Sequence, residues 1–160
     1  MPYLNRTIVA AVAGLLLALS AFAAGTTDFS GTWVLNTDKG QNLGMVKAVD
    51  ESIVVTQSAD KLVIDFTSKF MLKTTRRQVS YDLKGGPVPN EGAMGDKAQT
   101  VAKWVNGKLV VTWTSEGAVA GSTTVKTETR WLSADGNEMS VETVRANKPP
   151  MVLVYDKQKK

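Results

Sequence analysis

The chain has 160 residues, with 19 basic and 15 acidic side chains, and it contains neither histidine nor cysteine. The lack of these two residue types excludes histidine-based catalytic triads, thiol nucleophiles, ordinary zinc sites and the usual proximal haem ligands. We therefore expect no metal, no cofactor and no disulfide. The basic residues are scattered, apart from Lys157, Lys159 and Lys160. A nucleic-acid-binding protein would show a concentrated basic stripe, so no nucleic-acid partner is expected.

The first 23 residues have the pattern of a secretion signal. Arg6 supplies a positive start, residues 8–19 form a small and apolar core, and the sequence AFA at 21–23 offers a cleavage site. This core is shorter than the roughly 20 apolar residues that a spanning helix needs. No cysteine follows it for lipid attachment. We expect residues 24–160 to form one domain, exported to a periplasm or out of the cell, with no stable membrane anchor.

Apolar and polar residues then alternate with a period of two, which is typical of strands. The first strand begins at Gly31, and eight more are predicted at 52–57, 61–68, 74–83, 98–105, 108–116, 122–133, 138–145 and 151–158. The longest connections are 37–50, with a short helical turn around 43–46, and the glycine- and proline-rich loop 84–95. Nine strands joined mostly by short hairpins describe a meander.

The hairpin around Asn106-Gly107 has the most definite register. These two residues favour a type I′ turn, because both central positions of that turn need a positive φ. With a two-residue turn, the opposed pairs are Val105 and Lys108, Trp104 and Leu109, Ala102 and Val111, Thr100 and Trp113. One face then carries the tryptophans and the other carries the lysines.

Similar alternation assigns an inner and an outer face to the later strands. In 122–133, the charged residues Lys126, Glu128 and Arg130 are predicted to face outward, which turns Thr127, Thr129 and Trp131 inward. The carboxylates of Asp65, Asp82, Glu128 and Glu142 fall mostly on outer positions. No inward pair suits general acid–base catalysis, so we expect no enzymatic activity.

A nine-stranded open sheet would expose two edges and one apolar face, and closure into a barrel removes both problems. We therefore predict an all-β, up-and-down antiparallel meander barrel of about 8–10 strands. The alternative is a two-sheet sandwich, which usually requires longer Greek-key crossings.

The stretch FSGTWVLN, at 29–36, resembles the first strand of lipocalins and other calycin-type barrels, whose signature there is Gly-x-Trp. It looks most like the small bacterial exported lipocalin-like proteins. The resemblance implies that Trp33, preceded by Gly31, packs across the closed base of the barrel. It also implies that a basic side chain stacks over Trp33, with Lys157 and Arg145 as the two candidates.

The inward positions mix aromatic residues with threonines, which favours a cavity over an interior filled with hydrocarbon. We expect a small apolar or amphipathic, lipid-like ligand, lined by Phe66, Tyr81, Trp104, Trp113 and Trp131. Arg77 or Arg145 would bind a polar head group, because guanidinium pairs well with carboxylate. The alternative is a structural or protein-interaction module of the cell envelope, with a packed, ligand-free interior and an unknown protein partner.

Overall fold

The structure, a computed structural model, describes residues 26–159. The predicted secretion signal, residues 1–23, lies outside the described residues. Ten strands follow one another: β1 Gly31–Leu35, β2 Val49–Gln57, β3 Lys61–Phe70, β4 Lys73–Asp82, β5 Val88–Glu91, β6 Lys97–Val105, β7 Lys108–Glu116, β8 Thr123–Leu132, β9 Glu138–Arg145 and β10 Met151–Lys157. A short 3₁₀ helix, Gly44–Ala48, lies in the predicted 37–50 connection. Within the described part of the chain, no helix has the length and apolar character to cross a membrane.

All ten strands belong to one antiparallel sheet, in the order β4-β3-β2-β1-β10-β9-β8-β7-β6-β5. Every pair of consecutive strands except β4 and β5 is joined as neighbours, and β1 pairs with β10. The sheet therefore curls into a nearly closed barrel. The prediction of an up-and-down β-barrel is confirmed, and the two-sheet sandwich is wrong.

The β6–β7 hairpin has the predicted register. Asn106 and Gly107 both adopt positive φ, 49° and 76°. Trp104 faces Leu109 and Thr100 faces Trp113, as the type I′ turn requires. This hairpin fixes which side chains of both strands point into the barrel.

Strand β5 lies within the segment 84–95, which the sequence predicted to be a loop. Its four residues, Val88–Glu91, pair with β6. Pro89 cannot donate a backbone hydrogen bond, and such a residue is tolerated only at an edge of a sheet. β5 is an edge strand of the sheet and borders the gap in the barrel. Its glycine- and proline-rich flanks are the reason that the sequence predicted a loop here.

The side chain of Asn90 spans this gap between β5 and β4. Its Oδ1 accepts a hydrogen bond from the backbone N–H of Ser80 at 2.9 Å, and its Nδ2 donates to the Ser80 carbonyl at 2.8 Å. The same Nδ2 lies 2.7 Å from Thr100 Oγ1. One amide group thereby takes the place of the strand pairing that is missing here.

We expect Asn90→Ala to lower the free energy of unfolding by about 1–3 kcal/mol, because it leaves partly buried backbone groups unsatisfied. Amide exchange at Ser80 should accelerate, as measured by NMR. Asn137→Ala is the control, since the Asn137 side chain makes an exposed hydrogen bond to Asp135 Oδ2. Unchanged exchange at Ser80 in Asn90→Ala would contradict the bridging role.

One end of the barrel is closed around Trp33, which has no exposed surface. Its Nε1 donates to the Phe29 carbonyl at 3.0 Å, and the ring of Phe29 stacks on Trp104 with centroids 6.0 Å apart. Lys157 Nζ lies 5.1 Å from the centre of the Trp33 ring. Of the two basic candidates, Lys157 is therefore the one that covers Trp33.

The backbone conformation at residue 31 explains why the Gly-x-Trp triplet begins with glycine. Gly31 has φ 142°, a conformation that residues with a Cβ rarely adopt. A Cβ added there would also lie 3.2 Å from Lys157 Cε, which belongs to the side chain over Trp33. The triplet thus lets the lysine stem and the tryptophan pack closely at the base.

Candidate functional site

A cavity of about 640 Å³ lies in the barrel and is bounded by side chains of β2, β3, β4, β7, β8, β9 and β10. It extends to the 3₁₀ helix, the adjoining ends of β3 and β4, the end of β5 and the β5–β6 connection, at the end opposite Trp33. Its apolar walls are formed by Val46, Val49, Phe66, Phe70, Trp113, Val141, Met151 and Leu153. Specific ligand pockets have volumes of roughly 300–1,000 Å³, so this cavity is large enough for one lipid-sized molecule.

The structure divides the predicted ligand-binding residues into three groups. Five of them line the cavity: Phe66, Arg77, Tyr81, Trp113 and Arg145. Trp104 lies instead at the closed base, against Phe29. Trp131 faces the outside of the barrel, where Lys108 Nζ lies 4.4 Å from its ring centre, so its inward assignment is wrong.

The whole of β8 was predicted with the wrong orientation: the face predicted to point outward points into the barrel, and the other face points outward. Arg130 pairs with Leu109, which is fully buried, and only 4% of Arg130 is exposed. Lys126 and Glu128 share its face and line the cavity. The predicted outward position of Glu128 is therefore wrong as well. The prediction assumed that charged residues mark the solvent face, but on β8 they line the interior.

The guanidinium group of Arg130 has a hydrogen-bond donor that is not satisfied within the described chain. Its Nε is buried and has no hydrogen-bond partner among residues 26–159. Its Nη1 lies 3.5 Å from Met139 Sδ, a weak acceptor. A buried cation costs considerable free energy unless an anion or several acceptors compensate it. Arg130 also interacts with the hydroxyl of Tyr81, whose pKa it lowers, and its Nε remains a donor without an acceptor in the described chain.

Two further cations lie against aromatic rings of the cavity. The guanidinium carbon of Arg77 is 3.7 Å from the centre of the Phe66 ring. Lys126 Nζ is 4.2 Å from the Trp113 ring and 3.1 Å from Glu128 Oε1. Trp113 Nε1 is itself buried without a partner in the described chain. The cavity therefore offers several donors that protein acceptors do not use.

One acidic side chain of the cavity was missed from the sequence. Glu51 Oε1 accepts a hydrogen bond from the Tyr155 hydroxyl at 2.7 Å, and Oε2 accepts one from Ser68 Oγ at 2.5 Å. Glu51 has the same parity as Ile53 and Val55, which are buried. Extending the 52–57 strand by one residue would have placed this carboxylate inside.

The charges that line the cavity are mainly positive. Six basic side chains border it: Lys73, Arg76, Arg77, Lys126, Arg130 and Arg145. Three acidic ones do so: Glu51, Glu91 and Glu128. This excess favours an anionic ligand. Within residues 26–159, no cluster of three acidic residues could hold a metal ion.

Two buried tyrosines make the stability of the protein sensitive to alkaline pH. Burial raises the pKa of Tyr81, and the negative charge of Glu128 raises it further. Burial and then Glu51 raise the pKa of Tyr155. In the unfolded chain both hydroxyls titrate near pH 10. Above that pH the unfolded state releases protons that the folded state retains, so the free energy of unfolding falls.

We expect these two tyrosines to lower the free energy of unfolding by about 2–3 kcal/mol between about pH 9 and pH 11, since each contributes up to 1.4 kcal/mol per pH unit. Below the unfolded-state pKa they should contribute no pH dependence. Urea unfolding followed by circular dichroism measures this loss. Tyr81→Phe should about halve it, and an equally steep decline in that variant would contradict the assignment.

Comparison with protein-family models and with curated protein sequences gives no match. Solved structures match the fold over most of the chain. The "REP1-NXSQ fatty acid transporter" is 15% identical with TM-score 0.62, and the match covers 82% of this chain and 96% of that one. Human cRBP IV is 17% identical with TM-score 0.61, covering 82% and 99%. Echinococcus granulosus fatty-acid-binding protein 1 is 20% identical with TM-score 0.59, covering 82% and 98%.

These matches assign the architecture. The chain has a calycin-type barrel fold, with ten antiparallel strands in up-and-down order. At identities of this level, the likeness concerns the fold alone. The activity has to be argued from the cavity.

Proposed function

We propose that the protein is an exported, non-catalytic carrier of one small amphipathic ligand with a single anionic group. The anion binds to Arg130, and the apolar body fills the cavity. The observation that carries this proposal is the buried guanidinium of Arg130, whose Nε has no partner in the described chain. A ligand carboxylate would supply the missing acceptor and the missing negative charge.

The charges around Arg130 support a singly charged ligand. Five of the charged residues that line the cavity are not solvent-exposed, and these leave one positive charge uncompensated: Arg77, Lys126, Arg130, Glu51 and Glu128. Both arginines lower the pKa of Tyr81 against the larger effect of burial, which indicates a positive potential at this hydroxyl. One carboxylate between them would neutralise this region.

The remaining walls suit a hydrocarbon body. Phe66, Val141 and Leu153 present apolar surface on three different strands. The names of two proteins with this fold, a fatty acid transporter and a fatty-acid-binding protein, refer to ligands of the same chemistry. The open volume of about 640 Å³ favours this role over a packed structural module.

Two further parts of the proposal rest on the sequence and on the pairing of the interior carboxylates. The signal pattern at 1–23 supports export to a periplasm or out of the cell. Glu128 pairs with Lys126, and Glu51 accepts two hydroxyl hydrogen bonds. These carboxylates already have partners, which supports a binding role over catalysis.

The test is a calorimetric titration of the purified protein with octadecanoate and, in parallel, with octadecanol. We expect saturable one-site binding of the acid, at least about tenfold tighter than the alcohol, because charge-assisted hydrogen bonds contribute roughly 1.5–3 kcal/mol. If the acid and the alcohol bind with equal affinity, the anionic group does not contribute to binding, and that part of the proposal is wrong. The absence of any saturable binding would overturn the carrier function.

A further inference from the structure

A second polar subsite faces the cavity from the wall formed by β2, β3 and β10. It consists of the Glu51 carboxylate, held by the hydroxyls of Tyr155 and Ser68. Only 2% of Tyr155 is exposed. The two hydroxyls therefore fix the carboxylate in place, and all three side chains line the cavity.

Glu51 has accepting capacity left over. Each carboxylate oxygen can accept two hydrogen bonds, and Oε1 and Oε2 each accept one from the protein. The described residues give Glu51 no ion pair, in contrast to Glu128, which is bound by Lys126. A group that donates a hydrogen bond from within the cavity would complete it.

The two hydroxyls next to Glu51 cannot serve a ligand as donors. Tyr155 and Ser68 already direct their protons to Glu51. Burial and the negative charge of Glu51 raise the pKa of Tyr155, so its hydroxyl stays protonated and stays bound. To a ligand, this wall presents an acceptor, whereas Arg77 and Arg130 present donors.

The acceptor wall lies within reach of the anion-binding arginines. Glu51 is opposite Ser68 on β3, and Phe66, which carries the Arg77 guanidinium on its ring, is two residues along the same strand. Two residues of a strand span roughly 7 Å. A molecule whose anionic group lies beside Arg77 would therefore pass Glu51 roughly 7 Å along its body.

We infer that the ligand carries a neutral hydrogen-bond donor, a hydroxyl group, a short way along its chain from the anionic group, and that Glu51 binds this hydroxyl. This inference rests on the proposed function. A hydroxyl fits better than an ammonium group, because Arg77 and Arg130 both act on the neighbouring Tyr155 and would repel a second cation. The substrate class is thus a hydroxylated amphipathic acid.

The experiment compares three acids of equal chain length: octadecanoic acid, a derivative with a hydroxyl roughly 7 Å along the chain from the carboxylate, and the keto derivative at the same carbon. The hydroxyl donates to Glu51, whereas the keto oxygen only accepts and is repelled by a carboxylate. We expect the protein to bind the hydroxy acid at least about tenfold more tightly than the keto acid, the effect of one hydrogen bond to a charged group. Isothermal titration calorimetry measures the ratio.

The decisive variant is Glu51→Gln, because an amide keeps an acceptor for Tyr155 and can also donate. The ratio of the hydroxy-acid affinity to the keto-acid affinity should fall to a value between about one and two. Plain octadecanoate should bind at least as tightly as before, because the variant removes one negative charge from the cavity. Glu142→Gln is the matched control: Glu142 lies on the outer face of β9 between Thr129 and Val152, and its variant should retain the full ratio.

The outcomes separate this inference from the carrier function. If octadecanoate binds but the hydroxy and keto acids bind equally, or the ratio survives in Glu51→Gln, the hydroxyl subsite is wrong and the carrier function stands. If none of the three acids binds, both fail. If Glu51→Gln does not fold, as judged by circular dichroism, the ratio in the unsubstituted protein decides.

Discussion

Replacing Arg130 with methionine should weaken octadecanoate binding about 100-fold and leave the protein at least as stable as before. The loss corresponds to about 2.7 kcal/mol, within the range expected for a charge-assisted, forked contact between guanidinium and carboxylate. Stability should not fall, because exchanging an uncompensated buried charge for a hydrophobic side chain is often neutral or stabilising by about 1–4 kcal/mol. Calorimetry gives the affinity, and urea unfolding gives the free energy of unfolding.

The control is Arg145→Met, since Arg145 also lines the cavity but is solvent-exposed. Its affinity for octadecanoate should change by less than about threefold, because an exposed, screened charge contributes little. Octadecanol should bind Arg130→Met and the unsubstituted protein about equally. Equal losses in the Arg130 and Arg145 variants would show that the cavity attracts anions only through its general charge.

The parts of the fold that follow from backbone chemistry were accessible from the sequence. Asn106-Gly107 specifies a turn with two positive φ values, and that turn alone determines the pairing of β6 with β7. The closed end at Trp33 was expected from the resemblance of its Gly-x-Trp triplet to calycin-type barrels, and the structure supplies the reason for the glycine: the positive φ of Gly31 and the close approach of Lys157. The turn signal is local, and distant parts of the chain do not alter it.

The proposed anion site depends on how β8 pairs with β7, and the alternation of polar and apolar residues within β8 does not reveal this pairing. Lys126, Glu128 and Arg130 alternate with threonines and Trp131, and either face of such a strand could point inward. What decides is the register with β7, where Leu109 faces Arg130. A barrel with a ligand reverses the usual rule, since its inner face carries the charges that a ligand needs.

Glu51 and β5 were missed for different physical reasons. Glu51 lies before the apolar run 52–57, so a strand end defined by hydrophobicity stopped short of this cavity-lining carboxylate. β5 contains Pro89 and borders the gap that Asn90 bridges by its side chain. An edge strand of four residues has little pattern of its own, and only its partner β6 identifies it.

Trp33→Ala should be the most destabilising of these substitutions, lowering the free energy of unfolding by about 3–5 kcal/mol. Trp33 has no exposed surface, and its removal leaves a cavity at the barrel base and deprives the Phe29 carbonyl of its donor. Urea unfolding followed by far-UV circular dichroism measures the change without depending on tryptophan emission.

Trp131→Ala is the matched control, because the same residue type on the outer face of β8 contacts Lys108 but is not part of the buried core. Its loss should cost about 1 kcal/mol or less, in keeping with an exposed cation–π contact. A cost as large as that of Trp33→Ala would mean that β8 has the opposite orientation. Arg130 would then face solvent, and the anion site would be lost with it, so this pair of variants tests the orientation on which the ligand argument depends.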